Sequence, residues 1–301
     1  MTARRIAAVV TAYHPDERLA AVVDAALRSC ASVVIADNTP GDGETLAAKL
    51  EEPRVTVLRT GSNRGLAGAL NLGLAQVPAD AEAVLFLDQD SVLPAELVTG
   101  LAAHLDDETI DVVGPTPVDA ATGDRYERTA DRHAALDDRP SIITSGMVVR
   151  RSAFAAVPGF REDFFVDCVD SDFCLRVRRS GRRVVRDAAL VLPHSIGSGR
   201  DHGLGPVNVR VLHYPAWRHY WIARNGLVLS REFPAERGFA LTNALFMARW
   251  LVVTALFDEH RGSSVPAVLR GLLHGLTGRV DRRYLPAGAE YAGPRSANLP
   301  G

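Results

Sequence analysis

The sequence predicts an α/β protein, a mostly parallel sheet flanked by helices, with a helical appendage at its C-terminal end. Strand-like apolar runs alternate with helix-like segments over the first two hundred residues. Several of those runs lack polar alternation and stop at acidic residues, as strands covered on both faces do. Beyond residue 205 the pattern changes to long helices. With 301 residues, 47% of them hydrophobic, the chain buries a full core and is long for one domain. The expected organisation is an α/β domain over 1–204, a helical region over 205–280 and a disordered tail over 281–301.

Ile6 to Thr11 reads as the first strand, Glu17 to Ser29 as a helix with apolar residues at helical spacing, and Ser32 to Ala36 as the second strand, ending at Asp37-Asn38. Thr39-Pro40-Gly41-Asp42-Gly43 is a loop, Leu46 to Leu50 a short helix and Val55 to Arg59 the third strand. GSNRGLAGALNLGLAQV is glycine-rich at its start and helical from about Leu66. Val84 to Leu87 forms a fourth, buried strand. Asp111 to Asp138 reads as a strand and a long surface loop, and Ile142 to Arg150 as another strand. Asp170 to Ser180 is a helix ended by Gly181, and Val184 to Leu192 the last sheet strand. Such close alternation implies right-handed crossovers.

Three helical segments follow: YWIARNGLVLS, GFALTNALFMARWLVVTALF, and one opened by Ser264 and Pro266 that runs through LLHGL. The middle one approaches the length of a membrane span, but Arg249 is costly in an isolated span. It reads as amphipathic: either an ordinary buried helix, or one lying in a bilayer interface with Arg249 and Trp250 near the headgroups.

Arg and Lys total 34 against 36 Asp and Glu, so no global charge attracts nucleic acid, and no nucleic-acid partner is expected. Cys30, Cys168 and Cys174 form neither a CxxC pair nor a disulfide framework, which favours a reducing compartment. The first apolar run stops at Tyr13-His14-Pro15, too short for a signal peptide. The expected location is the cytoplasm, with peripheral contact at the inner face of the plasma membrane.

The chemistry-bearing residues gather at strand ends. In VLFLDQDSVL, Asp88 and Asp90 lie two apart on an extended chain and share a face, so both can reach one metal ion in the crevice where open α/β sheets keep ligands. A simple strand-capping turn is the competing reading. GSNRGLAG is neither GxGxxG nor GxxxxGK, which removes the dinucleotide and P-loop classes. Asn63-Arg64-Gly65 remains at a helix start, a place suited to phosphate, although taken alone such a start is more often plain structure. Asp37, Asp88, Asp90 and Asp170 together cluster in topology at the carboxyl edge of one sheet.

At this point the chain resembles the GT-A glycosyltransferases of family 2, inverting enzymes with a Rossmann-like fold that use nucleotide-diphospho-sugars. The resemblance rests on VVTAYHP, VVIADN, NRGLAGALNLGL, LFLDQDS, TSGMVVRRSAFAAVPGF and DFFVDCVDSDFCLRVRRSG, in the family's order from residue 6 to about 200. FFVDCVDSDFCLR and RHYWIARN are most similar to bacterial rhamnosyltransferases that use dTDP-L-rhamnose. The resemblance implies a dTDP- or UDP-sugar donor, a saccharide or lipid-linked saccharide acceptor, and Mg²⁺ or Mn²⁺. It implies that Thr11, Ala12 and Tyr13 line the base pocket, that Asp37 accepts the ring N–H of the base, and that Asn63, Arg64 and Gly65 lie along the ribose and diphosphate. Asp88, Gln89 and Asp90 stand where the family's DxD motif meets metal and nucleotide, and Ser145-Gly146 would floor the donor sugar. The family's ED-x-D appears as Val169-Asp170-Ser171-Asp172, which makes Asp170 the base, with Asp167 and Asp172 as rivals and an N-cap as its bland role. His194 is implied as a further metal ligand or diphosphate contact, against a structural histidine. Asp172 and Arg224 are assigned to the acceptor side, Arg224-Asn225 alternatively to pairing with the acidic edge. Another donor sugar, a nucleotidyltransferase and a binding module that has lost its base are the alternatives.

Overall fold

The computed structural model describes residues 4–120, 122–125, 136–194, 199–204, 207–212 and 214–293. It begins with β1 (Ile6–Ala12), α1 (Arg18–Leu27), β2 (Ser32–Asp37), β3 (Val55–Arg59), α2 (Gly65–Ala75) and β4 (Ala83–Asp88). Next come α3 (Leu97–Ala103), β5 (Ile110–Asp119), β6 (Leu136–Asp138), β7 (Met147–Arg150), α4 (Ala153–Ala156), α5 (Val169–Arg179) and β8 (Arg183–His194). The hairpin β9 (Gly199–Leu204) and β10 (Val207–Leu212) precedes the long helices α6 (Ala216–Glu232), α7 (Arg237–Phe257) and α8 (Arg261–Thr277).

Eight strands form one sheet in the order β3-β2-β1-β4-β7-β5-β8-β6. The neighbours β3-β2-β1-β4 are parallel, as are β5 and β8, while β7 and β6 run antiparallel. Strand order therefore reverses beside β1, with β2 on one flank and β4 on the other, and the crevice outside the carboxyl ends of these strands is where such sheets bind ligands. Register aligns those ends: Ala12 pairs with Asp37, and Thr11 with Asp88. Helix α2 lies against β1 because Gly73 has no side chain; a Cβ there would sit 2.4 Å from Val9 Cγ1.

The chain divides into two compact units: residues 1–161, 169–195 and 288–290 in the first, and 162–168, 196–287 and 291–301 in the second. The boundary expected at 204/205 thus falls nine residues earlier, and two short segments cross over in sequence. Within the first unit, the strand expected over Ile142 to Arg150 begins only at Met147, because Gly146 turns through φ +82° and breaks the extended run. Nothing in the sequence marks the seven-residue α3, since so short a segment carries barely two turns of periodicity.

In the second unit, α8 packs on α6 through two glycines four apart. A Cβ on Gly271 would lie 2.4 Å from the backbone oxygen of Tyr220, and one on Gly275 2.8 Å from that of Arg224. Backbone cannot yield as a side-chain tip can. Gly271→Ala regains about 1 kcal/mol of helix propensity against overpacking of about 1–3 kcal/mol, so a net destabilisation is expected, read as a lowered melting temperature.

Two expectations about this region are corrected. Helix α7 has inverted polarity: Asn243, Met247, Trp250 and Thr254, at helical spacing, form its inner face, while Leu241, Leu245, Val252 and Leu256 on the opposite face are 55 to 64% exposed. Asn243 Nδ2 donates to Gly226 O (2.6 Å) and Ser230 Oγ (2.8 Å) on α6. Trp250, expected at a headgroup surface, is half-buried and donates its Nε1–H to His219 Nδ1 (3.1 Å). The tail expected to be disordered from residue 281 is ordered as far as the described residues extend. Tyr284 stacks on Tyr220 at 4.4 Å, Trp221 Nε1 donates to Tyr284 O (2.8 Å), and a 3-10 turn spans Arg282–Tyr284. Two aromatic anchors from α6 explain that order; residues 294–301 lie outside the described residues.

Candidate active site

At the carboxyl end of β1, Tyr13 exchanges two hydrogen bonds with Gln89: its N–H donates to Oε1 (2.7 Å), and its carbonyl accepts from Nε2 (3.2 Å). Gln89 thus fixes the turn between Asp88 and Asp90 to the end of the neighbouring strand. Thr11 is half-buried, Ala12 buried, and Tyr13 exposed with its ring against His14.

On the other flank, Asp37 is 0% exposed, and its carboxylate is engaged by Thr39 N–H (3.0 Å), Thr45 Oγ1 (2.5 Å) and the Arg59 guanidinium (3.2 Å). The Asp37 side chain thus points inward and organises the loop over residues 39–45. Asn38, which no motif marks as a site residue, ties β2 to α2. Its Nδ2 donates to Asn63 Oδ1 (2.8 Å) and Gly65 O (3.2 Å), while its Oδ1 accepts from Arg64 N–H (2.7 Å). Asn63 Oδ1 also accepts Gly65 N–H (2.9 Å), with Gly65 at φ +72°. These bonds place Arg64 at the first turn of α2. Its guanidinium makes no hydrogen bond or ion pair among the described residues, so a cation and a helix N-terminus coincide there.

Residues from the far end of the chain close over this corner. Asn63 N–H donates to Gly288 O (3.0 Å), Glu290 N–H to Asn63 O (2.8 Å), and Ser62 Oγ to Glu290 Oε2 (2.8 Å). No periodicity or motif marks this segment in the sequence.

Asp88 and Asp90 are half-buried at the end of β4. Burial, then the neighbouring charge of Asp90, push the Asp88 carboxyl up to about 6, against the pull of a hydrogen bond from Ser145. Ser145 Oγ also accepts the Asp88 backbone N–H (3.4 Å), and Gly146 N–H donates to Phe86 O (2.9 Å). Asp90 lies 3.5 Å from Arg18 Nη1. His194, half-buried at the end of β8, has Nδ1 3.3 Å from Ser91 Oγ, and its burial keeps it more neutral than an ordinary histidine while Asp90 opposes that shift.

Among the described residues, no three His, Cys, Asp or Glu side chains converge as a metal cage. The set still fits a hard divalent ion of the kind that takes one or two carboxylates from protein and the rest from phosphate and water. The raised Asp88 is the structural sign: two like charges share a partly desolvated turn, and a cation would relieve them.

Asp170 is half-buried in the first turn of α5, where its Oδ1 accepts Ser171 N–H (2.7 Å). Ser171 Oγ is 2.8 Å from Ser141 Oγ, and Ser145, four residues on, touches Asp88. The chain between those two serines spans at most about 14 Å, which bounds how far the start of α5 lies from the end of β4.

Two assignments are corrected by burial. Asp172 does not face an acceptor: it is 0% exposed and bridges Arg176 Nε (2.7 Å) and Arg161 Nη1 (3.5 Å). Arg224 is 2% exposed, its Nε donating to Arg279 O (3.1 Å) and its Nη1 to Asp163 O (3.2 Å) and Asn225 Oδ1 (2.7 Å). Asn225, fully buried, donates to the carbonyls of Phe164 (2.8 Å), Val166 (2.9 Å) and Asp167 (3.1 Å). That clamp holds a segment in which Phe165, Asp167 and Cys168 all have φ near +60°, a costly backbone for non-glycine residues.

A family model described as glycosyl transferase family 2 matches residues 7–181. The chain is 28% identical over 288 residues to the dTDP-rhamnosyl transferase RfbF of Shigella flexneri, covering 91% of this chain and 95% of that protein. It is 30% identical over 239 residues to the N-acetylglucosaminyl-diphospho-decaprenol L-rhamnosyltransferase of Mycobacterium tuberculosis, covering 64% of this chain and 77% of that one. Among solved structures it is similar in fold to S. aureus TarS 1-349 in complex with UDP-GlcNAc, with a TM-score of 0.59, 14% identity, and coverage of 93% of this chain and 82% of that one.

Proposed function

We propose a specific activity for this chain from the premise that it belongs to glycosyl transferase family 2: transfer of L-rhamnose, with inversion, from dTDP-L-rhamnose to a hydroxyl of a saccharide or lipid-linked saccharide in cell-surface polysaccharide synthesis. The observation that carries it is the pairing of Asp88 and Asp90 at the reversal of strand order. One strand beyond β1, roughly 10 Å from β4 at ordinary strand spacing, β2 leads through Asn38 to Arg64 and the start of α2. A diphosphate lying across β1 would meet carboxylate-held metal on one side and a cation with helix N–H groups on the other. Rhamnosyltransferases among its relatives favour rhamnose over other sugars.

In this reading Asp88 and Asp90 hold Mg²⁺ or Mn²⁺ together with the donor, and His194 is a further ligand or a diphosphate contact. Bound there, the ion supplies neutralisation of charge on the departing nucleoside diphosphate. Arg64 and the α2 N-terminus add positive potential to the same group. Gln89 keeps the Asp88–Asp90 turn against β1, so the two carboxylates need no rearrangement when donor enters. Asp170 takes the proton from the acceptor hydroxyl as it attacks the anomeric carbon from the opposite side. Inversion needs no enzyme nucleophile.

Helix α7 supports a site of action at a membrane surface. A helix with polar groups inward and leucines outward is solvated by hydrocarbon better than by water. We place the enzyme peripherally on a membrane, at the inner face of the plasma membrane, where a lipid-linked acceptor is presented.

A panel of nucleotide sugars with Mn²⁺, read by nucleotide release, tests the reaction and donor together. Release from dTDP-L-rhamnose above that from UDP-sugars is expected, with thermal protection by dTDP. Protection by UDP but not dTDP would count against rhamnose.

A further inference from the structure

Beside the C-terminal end of α8 lies a cavity of about 520 Å³, within the range of ligand sites, lined by Arg270, His274, Arg279, Asp281, Arg282 and Arg283. We propose that it binds a phosphate group carried on a lipid. The inference deepens the membrane attachment argued above and rests on it.

Four guanidiniums face one carboxylate here. Asp281 is already committed: it pairs with Arg270 (3.2 Å) and Arg283 (2.8 Å), and the Arg283 hydrogen bond, chiefly, holds its carboxyl down to about 2. Arg279 and Arg282 are exposed, and their guanidiniums make no hydrogen bond or ion pair among the described residues. His274, whose Nδ1 is 2.8 Å from Tyr220 Oη, is kept below the ordinary histidine range by burial and then by the charge of Arg270.

A purely structural use for these cations would be to compensate the carbonyl end of α8. Other residues already do that. Arg231 Nη1 donates to Gly275 O (2.8 Å) and Leu276 O (2.7 Å), and Arg224 Nε donates to Arg279 O. Arg279 and Arg282 are therefore surplus to the fold, and clustered like charges beyond what Asp281 neutralises cost stability.

The lipid part of the proposal comes from the adjoining surface. Leu269, Leu273 and Leu276 form an outward stripe on α8, 51 to 56% exposed, and Arg270 follows Leu269 about 100° round the helix. Cations thus border an apolar face in the same unit that carries the leucines of α7. Free phosphate would use the arginines and leave the leucines in water; a phosphate or diphosphate at the head of an acyl or isoprenoid chain uses both.

The test uses the full chain and the double variant Arg279→Gln/Arg282→Gln, two exposed positions outside the catalytic machinery. Vesicles of phosphatidylcholine alone report on the leucine faces. The gain on adding phosphatidylglycerol, or separately a polyprenyl diphosphate, reports on the cavity and tells the two lipid sources apart. Wild type is expected to prefer phosphate-rich vesicles by about thirtyfold, the effect of two cations at an anionic surface, and the variant to lose that preference while keeping its binding to phosphatidylcholine and its melting temperature. An undiminished preference in the variant, or none in wild type, overturns the proposal. So does thermal protection by inorganic pyrophosphate that vesicles do not exceed, which would identify a free anion as the ligand. Absence of transferase activity would sink the enzymatic reading and leave these vesicle results standing; absence of binding to phosphatidylcholine alone would sink the α7 attachment.

Discussion

Asp88→Asn is expected to lower turnover by about a thousandfold or more while making the metal-free protein more heat-stable. The two effects have one cause. The upward shift of the Asp88 carboxyl to about 6 comes first from burial and then from Asp90. A group whose folded pKa exceeds its unfolded value opposes folding when ionised. That opposition is fully present at neutral pH, fades as pH falls through about 6, and is gone below the ordinary carboxylate range. Asn removes it without changing shape, and its carboxamide keeps a partner in the Ser145 hydroxyl that bonds the Asp88 side chain. On the proposed reading the catalytic loss follows because a divalent ion at the leaving diphosphate would supply several kcal/mol of transition-state stabilisation, and this carboxylate would be its anchor. Thermal unfolding with and without Mn²⁺, beside nucleotide release, checks both halves. A variant that binds Mn²⁺ and turns over like wild type would remove Asp88 from the site.

The order of strands and helices in the first unit was legible because its strands are covered on both faces and its helices are not. Continuous runs such as AVLFLD end where solvent begins, so strand ends and their acidic residues coincide in the sequence. Local signals of this kind mark Asp88 and Asp90 at the end of β4 and Arg64 and Asp170 at helix starts, where the structure has them. What escaped depends on partners distant along the chain. Asn38 is an ordinary loop residue until Asn63 and Arg64 are brought against it, and Asp172 looks as available as Asp170 until Arg161 and Arg176 enclose it. Arg224 and Asn225 stand out in the sequence as a pair, open there to an acceptor or to the acidic edge; their partners include carbonyls of residues 163–167, which composition cannot reveal. The segment 288–290, and the inverted polarity of α7, were hidden for the same reason. A helix of mixed leucine and polar residues reads as amphipathic either way, and only the position of α6 decides which face is inside.

The enclosure of Asp172 also decides what Asp170→Asn should do. Of the three acids in DCVDSD, Asp167 is held by two nitrogens of Arg218 (3.0 to 3.3 Å), and Asp172 is sealed between two arginines. Both side chains are committed to structural ion pairs with arginines. Asp170 is half-buried at the start of α5, follows directly on the strained segment clamped by Asn225, and keeps a backbone N–H from Ser171 that orients one oxygen. A positioned general base contributes about 10² to 10⁴ in rate, so Asp170→Asn should reduce kcat by that factor while dTDP and Mn²⁺ still protect against heat. Asp172→Asn should reverse the pattern, losing thermal stability because two partly buried arginines are left without their anion, with turnover of the surviving folded fraction much less affected. Steady-state kinetics and thermal shift on the two variants separate these outcomes, and unchanged turnover in Asp170→Asn would move the base to another residue.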